Sequence, residues 1–187
     1  MPTKAEKTKG SKKMKKAARI RLTRLQQLWD FVPEVFQPGT LLYVGAGILR
    51  AEFLLQLMVA GRKVTILEAY APNVAYYQLS RQPVIHMDVR ALCGVGRYDA
   101  AFWWHGPEHV SKKELPAVLA GLESRADLVV VGCPWGKYAQ EAVGGNPYER
   151  HRSALTPQDF QGWGYETSQL GKRNGRYESN IVAVKRR

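Results

Sequence analysis

The chain has 187 residues, of which 45% are hydrophobic and 24% are charged, which is enough for one well-buried globular core. No apolar run approaches the ~18–20 residues of a membrane span, and we expect no secretory signal because the N-terminus lacks an apolar segment. The cysteines, Cys93 and Cys133, lie far apart without a metal-type spacing. We therefore expect a cytoplasmic protein with two reduced, buried thiols.

The net charge of +12 is concentrated at the N-terminus. Residues 1–28 contain ten Lys or Arg side chains and one acid, Glu6, and so account for +9 of it. Residues 1–17 are almost free of large apolar side chains, which predicts a disordered tail. Such a tail could bind RNA, DNA or an anionic surface through phosphate contacts, or it could serve only as a solubilising extension.

Apolar residues then recur at the spacing typical of helices and strands. A helix over about 18–32 is predicted first, packed on the domain that follows. We predict strands at 41–44, 64–67, 84–87, 98–104 and 128–132, and helices at 49–60, 72–80, 111–124 and 156–162. Two final strands, 165–170 and 177–184, flank a loop around Asn174 and Gly175 that is typical of a hairpin.

Alternating strands and helices indicate parallel strands joined by right-handed crossovers. The predicted fold class is therefore α/β: one doubly wound domain over 18–187, with a mostly parallel sheet, helices on both faces and a C-terminal antiparallel hairpin. A ligand in such a fold lies beyond the carboxyl ends of the strands, where the strand order reverses.

A glycine-rich turn follows the first predicted strand, at Gly45-Ala46-Gly47. Glycine adopts the backbone angles of a tight strand-to-helix turn without strain and lets a ligand approach the main chain. Glu68 ends the second strand, 21 positions after Gly47, and an acid there can accept both hydroxyls of a ribose. Asp88 ends the third strand and could accept a hydrogen bond from an adenine amine.

These residues resemble the class I S-adenosylmethionine-dependent methyltransferases, over about residues 38–187. The resemblance rests on Leu42 to Gly47, Glu68, Asp88, the run Tyr98 to Trp104 and the closing hairpin. It implies a seven-stranded sheet with the last strand antiparallel, and S-adenosylmethionine as cofactor. The expected cofactor contacts are Tyr43, Gly45, Ala46, Gly47, Glu68, Ala69, Asp88, Val89 and Trp104.

The chain departs from the family at two positions of the glycine turn. The family usually has an acid two positions before the first glycine, where this chain has Tyr43, and often a third glycine where it has Leu49. A dinucleotide-binding oxidoreductase is the alternative interpretation of this turn. Its G-x-G-x-x-G pattern would need a glycine at position 50, where this chain has Arg50. The sequence also leaves open a noncatalytic module that binds RNA or DNA through the tail, or a methyltransferase with a nucleic-acid acceptor.

The segment after the fourth strand borders the transferred methyl group in this family. His105 and Glu108 are therefore the predicted catalytic residues, as a base or as acceptor anchors, although they could instead cap a loop. The string His105-x-x-Glu108-His109 matches an inverted zinc-protease motif. We expect no metal site from it, because Gly106-Pro107 interrupts any helix that could align the two histidines.

A long loop after the fifth strand mixes glycine, proline, aromatic and charged residues, as substrate lids do. Its predicted acceptor contacts are Trp135, Tyr138, Tyr148 and His151. We expect a small-molecule acceptor, because the compact chain has no large substrate domain. The acceptor atom is an O, N or C nucleophile.

Overall fold

The computed structural model describes residues 25–48, 51–171 and 179–187. The predicted tail, the first part of the N-terminal helix and the hairpin loop around residues 174–175 lie outside that range. Residues 25–31 are helical. The strands are β1 (Gly39–Val44), β2 (Arg62–Glu68), β3 (Val84–His86), β4 (Tyr98–Trp104), β5 (Ala126–Pro134), β6 (Glu166–Leu170) and β7 (Asn180–Arg186). The further helices are α1 (Ala51–Val59), α2 (Ala71–Leu79), α3 (Leu115–Glu123) and α4 (Pro157–Gly162).

The seven strands form one sheet in the order β3-β2-β1-β4-β5-β7-β6. The strands β1 to β5 are parallel, and β7 lies antiparallel between β5 and β6. The predicted fold class and the antiparallel C-terminal strand are therefore confirmed. The strand order reverses between β1 and β4, so the carboxyl ends of these two strands mark the expected ligand position.

Both faces of the sheet are covered, as strands buried on two sides require. Leu41 and Tyr43 of β1 belong to one apolar cluster, which also contains Leu28 and Val32 from the N-terminal segment. Leu42 and Val44 belong to the opposite cluster. The alternation along β1 therefore fixes which of its side chains can reach either face.

Two sequence expectations need correction. Helix α3 begins at Leu115 and not at Ser111, because Pro116 has no N–H group and is tolerated only in the first helical turn. The Ser111 hydroxyl does bond the Glu114 carboxylate, but ahead of the helix. Cys133 is buried as expected, whereas Cys93 is exposed, because it lies in the turn between β3 and β4.

The connection from β3 to β4 contains a short 3-10 turn, Val89–Ala91, and no α-helix. Within residues 25–48, 51–171 and 179–187, no helix has the length and apolar character needed to cross a membrane.

Candidate cofactor and acceptor site

A cavity of about 880 Å³ opens at the carboxyl ends of β1, β2 and β4. It therefore lies where the strand order reverses. Its volume falls in the upper part of the ~300–1,000 Å³ range of small-molecule sites. One end is bounded by the glycine turn and by residues that follow β2 and β3, and the other by the loops that follow β4 and β5.

The glycine turn forms the floor of the cavity. Gly45 and Gly47 have φ angles of +59° and +54°, which L side chains adopt only with strain. A Cβ atom at either position would meet no atom within 4 Å, so this space belongs to the cavity. The backbone at the turn is therefore open to a ligand.

Glu68 lies beside this turn at the end of β2 and is 5% exposed. Its Oε1 accepts a hydrogen bond from the Tyr70 N–H at 2.9 Å, and its Oε2 accepts one from the Gly47 N–H at 3.4 Å. A carboxylate offers about four acceptor positions, so these two bonds leave two for a ligand. The carboxylate is held in place before any ligand arrives.

Tyr77 of α2 supports the turn from behind. Its hydroxyl donates to the Gly47 carbonyl. Burial, and then the negative charge of Glu68, raise the pKa of Tyr77 to about 12 from an ordinary 10. The unfolded chain therefore ionises first, so the stability contributed by neutral Tyr77 is full below pH 10 and falls as pH rises toward 12.

Replacing Tyr77 by phenylalanine is expected to lower the free energy of unfolding at pH 7 by about 0.5–1.5 kcal/mol, because the Gly47 carbonyl loses its donor. The variant should also lose less stability than the unmodified chain between pH 9 and pH 11. Urea unfolding at pH 7, pH 9 and pH 11 measures the loss of stability and its pH dependence. The control is Tyr76→Phe, since Tyr76 is half exposed and adjacent. Equal pH dependence in the Tyr77 variant and the unmodified chain would contradict the assignment.

Asp88 lines the cavity but is bound by Arg90. Its Oδ1 accepts from the Arg90 N–H and Nε, both at 2.9 Å, and its Oδ2 accepts from Nη2. The Arg90 hydrogen bond, opposed by burial, holds the pKa of Asp88 below its usual value. One acceptor position remains, on Oδ2. Asp88 can therefore accept a single further hydrogen bond.

Aromatic side chains form the wall between the two ends of the cavity. Trp104 stacks on Phe102 with centroids 5.8 Å apart and an interplanar angle of 2°, and lies 5.0 Å from the ring of Phe53. Trp103 and Trp104 both line the cavity and are almost fully buried. The carboxyl end of β4 therefore presents an aromatic surface to the cavity.

His105 follows this wall in a strained conformation, with φ +52°. Its N–H donates to the Gly132 carbonyl at 2.7 Å, and its Nδ1 lies 3.2 Å from Glu108 Oε1. Burial raises the pKa of Glu108, but the hydrogen bond from His105 and the charges of His105 and His109 together outweigh it and keep the pKa below its usual value. An ionised carboxylate only accepts, so Nδ1 of His105 carries a proton, and in the neutral ring the lone pair is on Nε2.

No protein-family model and no curated protein match the sequence. Solved structures do match. The 1,6-didemethyltoxoflavin-N1-methyltransferase of Burkholderia thailandensis, solved with S-adenosylhomocysteine, aligns with a TM-score of 0.64 and 16% identity, over 96% of this chain and 83% of that one. Magnesium protoporphyrin IX methyltransferase from Synechocystis, with the same ligand, aligns at 0.61 and 17%, over 90% and 85%. The chain has the class I methyltransferase fold.

The methyltransferase fold alone does not decide the reaction. A Rhodobacter sphaeroides structure named provisionally for zinc-dependent alcohol dehydrogenases also aligns, with a TM-score of 0.64 and 11% identity, over 87% of this chain and 90% of that one. At such identities a shared fold can support different chemistry. The reaction is therefore determined by the residues of the site and not by the fold.

Within the methyltransferase fold, most of the predicted cofactor residues line the cavity. They are Gly45, Ala46, Gly47, Glu68, Ala69, Asp88, Val89 and Trp104. Tyr43 does not. It is fully buried and packs edge-on against Phe102 at 5.1 Å, because the alternation of β1 turns it into the core.

The predicted catalytic and acceptor residues divide in the same way. His105 and Tyr148 line the cavity, whereas Glu108, Trp135, Tyr138 and His151 do not. Glu108 is linked to the cavity by its hydrogen bond with His105.

Several lining residues were missed by the sequence analysis, among them Asn73, His109, Asn146, Arg152 and Asn180. Two of them had a sequence signal: His109 belongs to the His105-x-x-Glu108-His109 string, and Asn146 opens an Asn-Pro-Tyr string in the loop after β5. The Asn146 side chain caps a short 3-10 turn by accepting from the Tyr148 N–H at 3.0 Å, and that turn directs the loop to the cavity.

Proposed function

We propose that this protein is an S-adenosylmethionine-dependent methyltransferase that acts on a small-molecule acceptor. The observation that carries the proposal is the buried carboxylate of Glu68, held against the glycine turn with two acceptor positions free. That arrangement suits the two hydroxyls of a ribose. The structures from B. thailandensis and Synechocystis were both solved with S-adenosylhomocysteine, which supports the choice of cofactor.

The cofactor would extend along the carboxyl ends of the strands. The ribose would bond Glu68, the adenine amine would take the remaining position on Asp88, and the methionine part would lie over Gly45 and Gly47. Met87 and Val89 line the cavity next to Asp88 and supply apolar surface for the adenine ring. This orientation directs the methyl group toward Trp104 and His105.

His105 is suited to accept a proton from the attacking nucleophile. Its side chain lines the cavity, and the Glu108 carboxylate orients the ring through Nδ1, so that Nε2 is the proton acceptor of the neutral imidazole. Bound S-adenosylmethionine would supply the methyl group and leave as S-adenosylhomocysteine, and His105 would accept the proton that the acceptor atom releases. Glu108 is a positioning residue in this scheme.

The cavity also favours a small acceptor. Beyond His105 it is closed by Asn146, Tyr148 and Arg152 from the loop after β5. Both methyltransferases aligned above are named for small-molecule acceptors, a toxoflavin precursor and a porphyrin. Enclosure on this side suits a molecule of limited size.

Calorimetric titration with S-adenosylmethionine and S-adenosylhomocysteine tests the cofactor assignment directly. We expect saturable binding of both, and no binding of NAD. Release of S-adenosylhomocysteine with a panel of phenols, amines and thiols then tests the transfer. If neither S-adenosylmethionine nor S-adenosylhomocysteine released or absorbed heat at high micromolar concentration, the proposal would be refuted.

A nucleic-acid acceptor is the alternative, and the charge of residues 1–28 favours it. If the tail tethers RNA or DNA, removing residues 1–18 should weaken binding to a random duplex by at least tenfold at low salt, through fewer phosphate contacts. Fluorescence anisotropy over a salt series measures this. Unchanged binding at every salt concentration would exclude the tether.

A further inference from the structure

Three metal-ligating side chains meet behind the acceptor end of the cavity. Glu108 and His109 belong to the turn after β4, and His151 to the loop after β5. One ring nitrogen of each histidine and one carboxylate oxygen of Glu108 lie within 4.8 Å of one another. Two loops that are distant in sequence therefore place three donors around one point.

Both histidines are held in the form that binds metals. His151 Nδ1 lies 2.6 Å from the Tyr138 carbonyl, and His109 Nδ1 lies 3.3 Å from the Arg150 carbonyl. A carbonyl can only accept, so each Nδ1 carries the proton and each Nε2 presents a lone pair. Metal-ligating histidines nearly always donate their other ring N–H in this way.

Glu108 supplies an independent observation. The residue is 3% exposed, and its Oε1 is paired with His105 Nδ1. Its Oε2 is buried and has no hydrogen-bond partner within the described part of the chain. A buried carboxylate oxygen without a partner is costly, and a bound cation would satisfy it.

We propose that Glu108 Oε2, His109 Nε2 and His151 Nε2 bind a divalent first-row metal ion such as Zn²⁺. Two imidazoles and a carboxylate suit Zn²⁺, Co²⁺ or Fe²⁺, whereas Mg²⁺ and Ca²⁺ prefer oxygen ligands alone. Ligands about 2.0–2.1 Å from the ion lie roughly 3.4 Å apart in a tetrahedron, so the side chains close by about an ångström on binding. This departs from the sequence analysis, which expected no metal here.

The remaining coordination position faces the cavity. Glu149 Oε2 lies 3.9 Å from His109 Nε2, and both residues line the cavity wall. Glu149 or a water molecule would complete the coordination. The ion would tie the loop that carries Asn146 and Tyr148 to the turn after β4, next to the proposed base, His105. Metal binding does not depend on the proposed methyl transfer.

Titration of the untagged, chelator-treated protein with Co²⁺, followed by visible absorption, tests the site. The measurement is made in a Cys93→Ser background, because the exposed Cys93 thiol is itself a possible ligand. We expect one equivalent of Co²⁺ to bind with the absorption of a four- or five-coordinate ion and to be displaced by Zn²⁺. His109→Gln and His151→Gln should each weaken binding at least tenfold, and His86→Gln, which alters a histidine outside the cluster, should not.

Failure of the parent protein to bind one equivalent saturably would overturn the proposal, as would unchanged affinity in both cluster variants. Thermal melting with and without Zn²⁺ separates loss of the fold from loss of metal binding. We expect Zn²⁺ to raise the melting temperature of the parent and of the His86 variant only. S-adenosylmethionine binding by the metal-free protein is measured separately. A negative metal result with positive cofactor binding therefore overturns this site and leaves the proposed function standing.

Discussion

Replacing Glu68 by alanine is expected to lower the affinity for S-adenosylmethionine by about 1–3 kcal/mol, or roughly 5- to 150-fold. The ribose hydroxyls would lose a charged acceptor that is almost fully buried. The Gly47 and Tyr70 N–H groups would lose their partner as well. Calorimetric titration of the variant and the parent measures the difference.

Two further variants separate ligand contact from support of the turn. Glu68→Gln keeps the size of the side chain and one acceptor oxygen, so it should bind more tightly than the alanine variant and less tightly than the parent. Glu166→Ala removes an exposed acid on β6, far from the cavity, and should bind as the parent does. An unchanged affinity in Glu68→Ala would show that Glu68 does not bind the ribose. The main support for S-adenosylmethionine as the cofactor would then be lost.

Replacing Gly132 by alanine is expected to destabilise the protein by about 1–3 kcal/mol and to disrupt the cavity. A Cβ at this position would lie 2.2 Å from Cε3 and Cζ3 of Trp104. The indole has little room to move, because Phe53 and Phe102 pack against it. A displaced Trp104 would enter the space assigned to the cofactor and acceptor.

Gly162→Ala is the matched control, because no atom lies within 4 Å of the Cβ it would add. Urea unfolding should show a loss for the Gly132 variant and a change of about 0.5 kcal/mol or less for the control. Tryptophan fluorescence should shift in the Gly132 variant alone. Equal stability of the two variants would show that the Trp104 side chain can move aside at little cost. Trp104 would then not limit the size of the cavity.

The sequence was most informative where local pattern determines local structure. Buried parallel strands read as short apolar runs, and all seven strands were predicted within a few residues of their bounds. Glu68 could be paired with the glycine turn because a strand–helix–strand unit has nearly constant geometry. Asp88 was placed correctly at the edge of the cavity, but its pairing with Arg90 depends on side-chain conformation.

The acceptor end was predicted poorly because it is built from loops. Trp135, Tyr138 and His151 were chosen by residue type, and the loop after β5 places Asn146 and Arg152 in the cavity lining instead. The meeting of His109 with His151 joins two loops that no sequence spacing relates. The inward position of Tyr43 follows from strand alternation, and that pattern could have shown it.

The contact between Gly132 and Trp104 also has a consequence for evolution. Because a single carbon atom at 132 would overlap the indole, the sizes of the side chains at these two positions should vary inversely among related chains. A homologue with alanine or serine at 132 should have a smaller residue at 104, and hence a wider acceptor chamber. The pair would then mark which relatives accept bulkier molecules, in sequences for which no structure is known.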